Sequence, residues 1–176
     1  MTLITPIIPI TPAQQQQMIA EVERYIAIGG RHFGRVFEPI PVLFDLKGRT
    51  LGMYKIQRRK RVIRFNPWIC AKYFDDSLAT TVPHEVAHYL ADILYGLGNI
   101  RPHGSEWKAI MALFGADASV TARFSLEGVP QRVIRRVDYR CGCRDHQLTI
   151  HRHNRIRSGK ASYLCRSCGG PLRLAL

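Results

Sequence analysis

The chain is 176 residues long with 46% hydrophobic residues, enough to build a packed core, which excludes a disordered polypeptide. Lys and Arg outnumber Asp and Glu by 26 to 13, and a net charge of +13 on so small a protein favours a polyanionic partner, nucleic acid before membrane. No apolar run approaches the ~20 residues of a membrane span. The apolar start Met1 to Thr11 is broken by Pro6 and Pro9 and has no preceding basic residue, so a cytoplasmic protein is expected.

From Pro12 to Ile28, Met18, Ile19, Val22, Tyr25 and Ile26 recur at helical spacing, with Gly29 and Gly30 as the expected stop. Pro39 to Leu46, Leu51 to Ile56 and Arg61 to Phe65 are short β-prone runs that predict a small, mainly antiparallel sheet, with a charged turn over Gln57 to Lys60. Asp75, Asp76 and Ser77 suit the start of a second helix, with Leu78, Val82, Val86, Tyr89, Ile93 and Leu97 as its apolar stripe. Pro83, early in that helix, implies a kink or a later start. After a loop marked by Gly96, Gly98 and Pro102, Trp107, Ile110, Met111 and Phe114 form the buried face of a third helix that Gly115 stops. Residues 116 to 136 carry no clear pattern. Beyond them the composition shifts to Cys, Arg and His, which divides the chain into a domain over 1–136 and a module over 137–176. Cys70 stands alone and reads as a small buried hydrophobe.

Val82-Pro83-His84-Glu85-Val86-Ala87-His88 contains H-E-x-x-H. Four-residue spacing on a helix stacks two imidazoles one turn apart, on the face away from the apolar stripe, where both can reach one zinc ion. Zinc acidifies water and polarises a carbonyl, and the adjacent Glu85 can accept the water's proton and pass it to a leaving amine. A catalytic zinc takes three protein ligands and keeps one position open. His103, at the head of the third helix, is the preferred third ligand, with Glu106 as rival; Asp92, one turn beyond His88, is a candidate partner for an imidazole.

Cys141-Gly142-Cys143 and Cys165-Arg166-Ser167-Cys168 supply four thiolates, separated by 21 residues that read as a hairpin turning at Ser158-Gly159. Two facing knuckles make a structural zinc site, and about forty residues need such a metal because they bury too little apolar surface to fold alone. His146 is an alternative ligand in case the short first pair supplies only one. Residues 132 to 173 carry eleven Lys or Arg against Asp138 and Asp145, which leaves nine of the chain's thirteen net positive charges there. Arg152, His153, Arg155 and Arg157, with Lys160 nearby, are candidate nucleic-acid contacts, and Tyr139, Tyr163, His151 and His153 are candidate stacking surfaces. A hairpin offers no helix for a major groove, so single-stranded or unpaired DNA is the expected partner.

At these residues the chain resembles the SprT family of bacterial zinc metalloproteins, related to the eukaryotic Spartan proteases. The resemblance rests on Val62 to Pro67, Val82 to Leu90, Pro102 to Trp107, and the stretch from Tyr139-Arg140-Cys141 through His146 to Thr149 and Arg152 to Arg155, ending at Cys168. It implies an α+β, zincin-type metallopeptidase domain followed by a C-terminal zinc ribbon, and one catalytic and one structural Zn2+. It also implies His103 as the third ligand, because family members carry His-Gly at that place. Spartan-type proteases cleave proteins crosslinked to DNA, which implies DNA-bound protein substrates and a role in DNA repair. No segment after the ribbon would hold recruitment motifs of the eukaryotic kind. Bacterial members have also been connected with transcription, so the alternative is a nucleic-acid-binding zinc protein without hydrolysis; the intact general base Glu85 favours the peptidase.

Overall fold

The computed structural model describes residues 7–58, 60–119, 124–131 and 134–175. The chain divides into two compact units, 1–131 and 132–176, so the division falls a few residues before the compositional boundary at 136.

In the first unit, helix α1 spans Pro12–Phe33. Thr11 caps it through a reciprocal pair: the Gln14 N–H donates to the Thr11 hydroxyl, and the Gln14 side chain accepts the Thr11 N–H at 2.9 Å. Met18, Val22, Tyr25 and Gly29 form its buried stripe. The expected stop at Gly29-Gly30 is therefore corrected, and the helix ends instead at Gly34, whose φ of +59° is left-handed. Gly29 serves packing: a Cβ there would lie 2.3 Å from Leu90 Cδ1, so its absence lets α1 close on the helix that carries the histidines.

Strands β1 (Val42–Leu43), β2 (Gly52–Gln57) and β3 (Lys60–Phe65) form a sheet in the order β1-β3-β2. β2 pairs antiparallel with β3, from Gly52 opposite Phe65 to Gln57 opposite Lys60, and the two-residue β1 runs parallel to β3. Ile63 and Phe65 are fully buried, while β2 forms the other edge. Asn66, also fully buried, joins the sheet to helix α2 (Pro67–Lys72): its side-chain oxygen accepts the N–H groups of Trp68 and Ile69, and its amide donates to the Gly48 carbonyl.

The second predicted helix begins at Phe74, one residue before Asp75, with the short α3 (Phe74–Asp76). It continues through a π-helical turn over Ser77–Thr81 and runs on as α4 (Val82–Tyr95). The Val82 N–H donates to the Ser77 carbonyl five residues back, so Pro83, which has no N–H and crowds the carbonyl four residues before it, is taken up by a wider turn. Val82, Val86 and Leu90 are fully buried and Tyr89 nearly so; Leu97 lies past the helix and is 44% exposed, so it leaves the predicted stripe. Helix α5 (Ser105–Leu113) buries Trp107, Ile110 and Met111, and Gly115 follows at φ +64°. Cys70 is fully buried, and burial pushes its thiol up to about 11, which suits an inert packing residue.

The second unit is a three-stranded antiparallel sheet, β5-β4-β6, built from β4 (Arg136–Arg140), β5 (Asp145–Thr149) and β6 (Arg173–Leu174). The predicted hairpin between the Cys pairs is corrected: β5 leads straight into helix α6 (Ile150–Arg157), whose first turn is capped by the Thr149 hydroxyl. Ser158 and Gly159 close that helix. Gly159 at φ +68° donates to the Ile156 carbonyl and Lys160 to the Arg155 carbonyl, a left-handed cap that the sequence presents as a turn.

Candidate metal centres and catalytic site

Helical geometry brings His84 and His88 together, and the chain reversal before α5 adds His103. Their Nε2 atoms form a triangle with sides of 3.0, 3.1 and 3.2 Å. That is close to the spacing of three corners of a tetrahedron around an ion held at ~2.0–2.1 Å. Burial pushes His84 down to about 4 and His88 to about 3, with further lowering from neighbouring imidazoles, and burial also lowers His103. All three are neutral near pH 7 and present lone pairs to one point, which fits a divalent cation.

His103 adopts φ +56°, the left-handed region that non-glycine residues rarely occupy, which aims its ring back over α4. The rival Glu106 stays outside this triangle and accepts the Ser105 hydroxyl instead. Trp107 packs against all three imidazoles, with ring centroids 4.7–5.7 Å away, and its indole N–H donates to the His84 carbonyl at 3.3 Å. It is the floor of the site as well as a core residue.

Glu85 is 6% exposed, and its Oε2 accepts the main-chain N–H of Tyr54 at 2.5 Å. Burial raises its carboxyl to about 7. Gly52 is required beside it: a Cβ there would lie 2.7 Å from both Glu85 Oε1 and Thr81 Cγ2. A lone glycine inside a strand pattern signals such a close approach, but the sequence does not say to what. Two cavities, of about 750 and 400 Å3, share Gly52, His84 and Glu85 as common walls. Asp92 holds no imidazole. Its carboxylate accepts from the Tyr54 hydroxyl, Arg61 Nε and the Leu97 N–H, so the expectation of a His partner is corrected.

In the second unit, the sulfurs of Cys141, Cys143, Cys165 and Cys168 all lie within 4.8 Å of one another. Sulfurs bound to one zinc at ~2.3 Å would sit at about such distances. Backbone N–H groups of Cys168 and Ser167 pull Cys165 down to about 5, whereas the neighbouring sulfurs push Cys143 upward. Four thiolates this close ionise together only around a cation, so the donor set fits zinc. His146 lies 3.3 Å from Cys141 Sγ, beside the four-sulfur cluster. Arg144 donates to the Ser167 hydroxyl and so links the two knuckles.

Helix α6 carries the basic candidates. Arg152, Arg155 and Arg157 are exposed, as are His151 and Lys160, and the Arg152 guanidinium lies 5.5 Å from the Tyr163 ring centre. Tyr139 is 2% exposed and offers no stacking surface; its hydroxyl is 3.1 Å from Nδ1 of the half-buried His153, which therefore faces the ribbon core. The α6 helix also removes the premise that this module has no helix to offer a groove.

No helix among the described residues is long and apolar enough to cross a membrane. The SprT-like family model matches residues 25–127, and the SprT-like zinc ribbon domain matches residues 132–176. Protein SprT of Klebsiella pneumoniae is 35% identical over 166 residues, covering 94% of this chain and 95% of that protein. Protein SprT of Vibrio parahaemolyticus is 36% identical over 84% of this chain and 86% of its own length, and that of Shewanella oneidensis is 35% identical over 92% and 99%. No solved structure matches. With both parts of the chain matched in order, this protein belongs to the SprT-like family, as an α+β domain followed by a zinc ribbon.

Proposed function

We propose that this chain is a zinc-dependent endopeptidase that cuts proteins bound to nucleic acid, with one zinc at the histidines and one at the cysteines. The observation that carries the reading is the convergence of His84, His88 and His103 at 3.0–3.2 Å beside a buried, oriented Glu85. A purely structural metal site fills its coordination with protein donors and has no use for an adjacent base.

Zinc, when bound, supplies Lewis acidity toward a peptide carbonyl and lowers the pKa of water. The remaining work belongs to the chain. Glu85 Oε2 is fixed by the Tyr54 N–H, which leaves Oε1 to take the proton of the attacking water and return it to the leaving nitrogen. Burial favours the protonated carboxyl and a bound dication the ionised one, so the two oppose each other and Glu85 can carry the proton in both directions. β2 orients the substrate. The Asn66 N–H donates to the Leu51 carbonyl, so alternate residues turn their main chain toward β3, and Gly52 and Tyr54 turn theirs to the open edge beside Glu85. An extended polypeptide can pair along that edge, with the cavities on either side of His84 and Glu85 receiving its side chains.

The ribbon's basic helix supports the nucleic-acid half of the reading, since Arg152, Arg155 and Arg157 are all exposed, where they can meet phosphates. The test is to incubate a DNA-binding protein with zinc-loaded wild type and Glu85→Gln, with and without single-stranded or duplex DNA. Cleavage by wild type alone, raised by DNA, is the expected outcome. Equal cleavage by Glu85→Gln, or none by either protein, refutes the reading and leaves the non-hydrolytic nucleic-acid-binding alternative.

A further inference from the structure

We propose that Tyr54, Asp92 and Arg61 are positioning residues that set the geometry of this site from outside it. The inference rests on the metallopeptidase reading above. Glu85, His88 and Asp92 are spaced three and four apart and so lie along one face of α4, over two turns. Tyr54 of the edge strand spans that face and is tied at both ends. Its main-chain N–H donates to Glu85 Oε2 at 2.5 Å, and its hydroxyl donates to Asp92 Oδ2 at 2.7 Å. His88 lies between the two ties.

Asp92 is 7% exposed and would be costly there without partners. Arg61 on β3, the neighbour of β2, donates through Nε to the same Oδ2 at 2.5 Å, so the carboxylate holds both strands against α4. Its other oxygen, Oδ1, accepts the Leu97 N–H at 3.3 Å, and its carbonyl accepts the Gly96 N–H at 2.9 Å. Those two residues begin the loop that returns the chain to His103. One residue thus fixes both the strand that orients the base and the start of the loop that presents the third imidazole. A merely stabilising ion pair would need neither the Tyr54 tie nor the bond to the loop.

The test uses the full chain. Tyr54→Phe removes the hydroxyl and keeps the main-chain N–H; Asp92→Asn keeps the shape and removes the charge. Competition against a chromophoric zinc chelator reads the three-His site, with the ribbon zinc as internal reference. Each variant is expected to release the His-bound ion about tenfold more readily, the low end of the range for partners bonded directly to ligands, because these residues act through the strand and the loop and touch no imidazole. With the metal saturated, Tyr54→Phe is expected to lower kcat about tenfold and to leave KM within twofold. Unchanged metal affinity in both variants, or a wild-type kcat in Tyr54→Phe, overturns the assignment. Tyr54 is only half-buried and its ring is retained, so that variant decides the matter even where Asp92→Asn does not fold. If the wild type cleaves nothing, the peptidase reading fails while the metal titration still tests the positioning.

Discussion

In the metal-free protein, replacing Glu85 by Gln should stabilise the first unit, by an amount that grows with pH. Burial raises the Glu85 carboxyl from 4.5 to about 7. Between those values the native state holds a proton that the unfolded chain has released, so the stability from this group is present below pH 4.5 and lost as pH rises through 7. Converted at 1.36 kcal/mol per pKa unit, the loss is on the order of 3 kcal/mol. Gln carries no charge at any pH and escapes it. The two proteins should therefore unfold alike near pH 4.5, and the variant should be more stable at pH 8 by up to ~3 kcal/mol, or roughly 10 °C in melting temperature. His84, His88 and His103 weaken the fold below pH 6.5 through their lowered pKa values, but they do so in both proteins. Both Trp residues, Trp68 and Trp107, lie in the first unit, so tryptophan fluorescence follows it without interference from the ribbon. Adding zinc should shrink the gap, because a nearby dication favours the ionised carboxylate. A gap that does not change with pH, or one larger at pH 5 than at pH 8, would refute the argument.

Gly52→Ala places a methyl 2.7 Å from Glu85 Oε1 and Thr81 Cγ2 and should cost about 1–3 kcal/mol in urea unfolding, with a marked loss of kcat. Cys165→Ser should remove one zinc per chain by metal analysis and open the ribbon to proteolysis, while the tryptophan-monitored melt of the first unit stays unchanged. Neutralising Arg152, Arg155 and Arg157 together should weaken nucleic-acid binding and lower its salt slope by about three, the number of phosphate contacts removed. Cleavage of a short unstructured peptide should persist in that variant, and an unaltered slope in anisotropy titrations would place the nucleic-acid site elsewhere.

What could be read from the sequence was local. H-E-x-x-H fixes two imidazoles by helical geometry alone, and short β-prone runs mark β2 and β3 because their neighbours in the sheet are close in sequence. Helix ends were less legible. Gly29 and Gly30 carry the signal of a stop, but the packing of α1 against Leu90 outweighs a propensity cost of ~1 kcal/mol per glycine. Gly159 really does end an element, yet that element is a helix. The inward face of α6 consists only of Ile150, His153 and Ile156, all half-buried, which is too few and too mixed to give a helical stripe.

The site shows the same division more sharply. Spacing places Asp92 one turn after His88 and so predicts its face correctly, but a face is not a partner. Its partners are Tyr54 and Arg61, 38 and 31 residues away in sequence, and they are chosen by the antiparallel register that sets Tyr54 opposite Ile63. A one-residue slip in that register would turn the Tyr54 side chain to the other face of the sheet and its main-chain N–H toward β3, breaking the contacts to Asp92 and Glu85 together. The fully buried Ile63 and Phe65 hold β3 facing the core, so the face that Tyr54 presents follows from its register opposite Ile63. The orientation of the base therefore depends on hydrophobic residues that never touch it, a dependence that motif spacing cannot express.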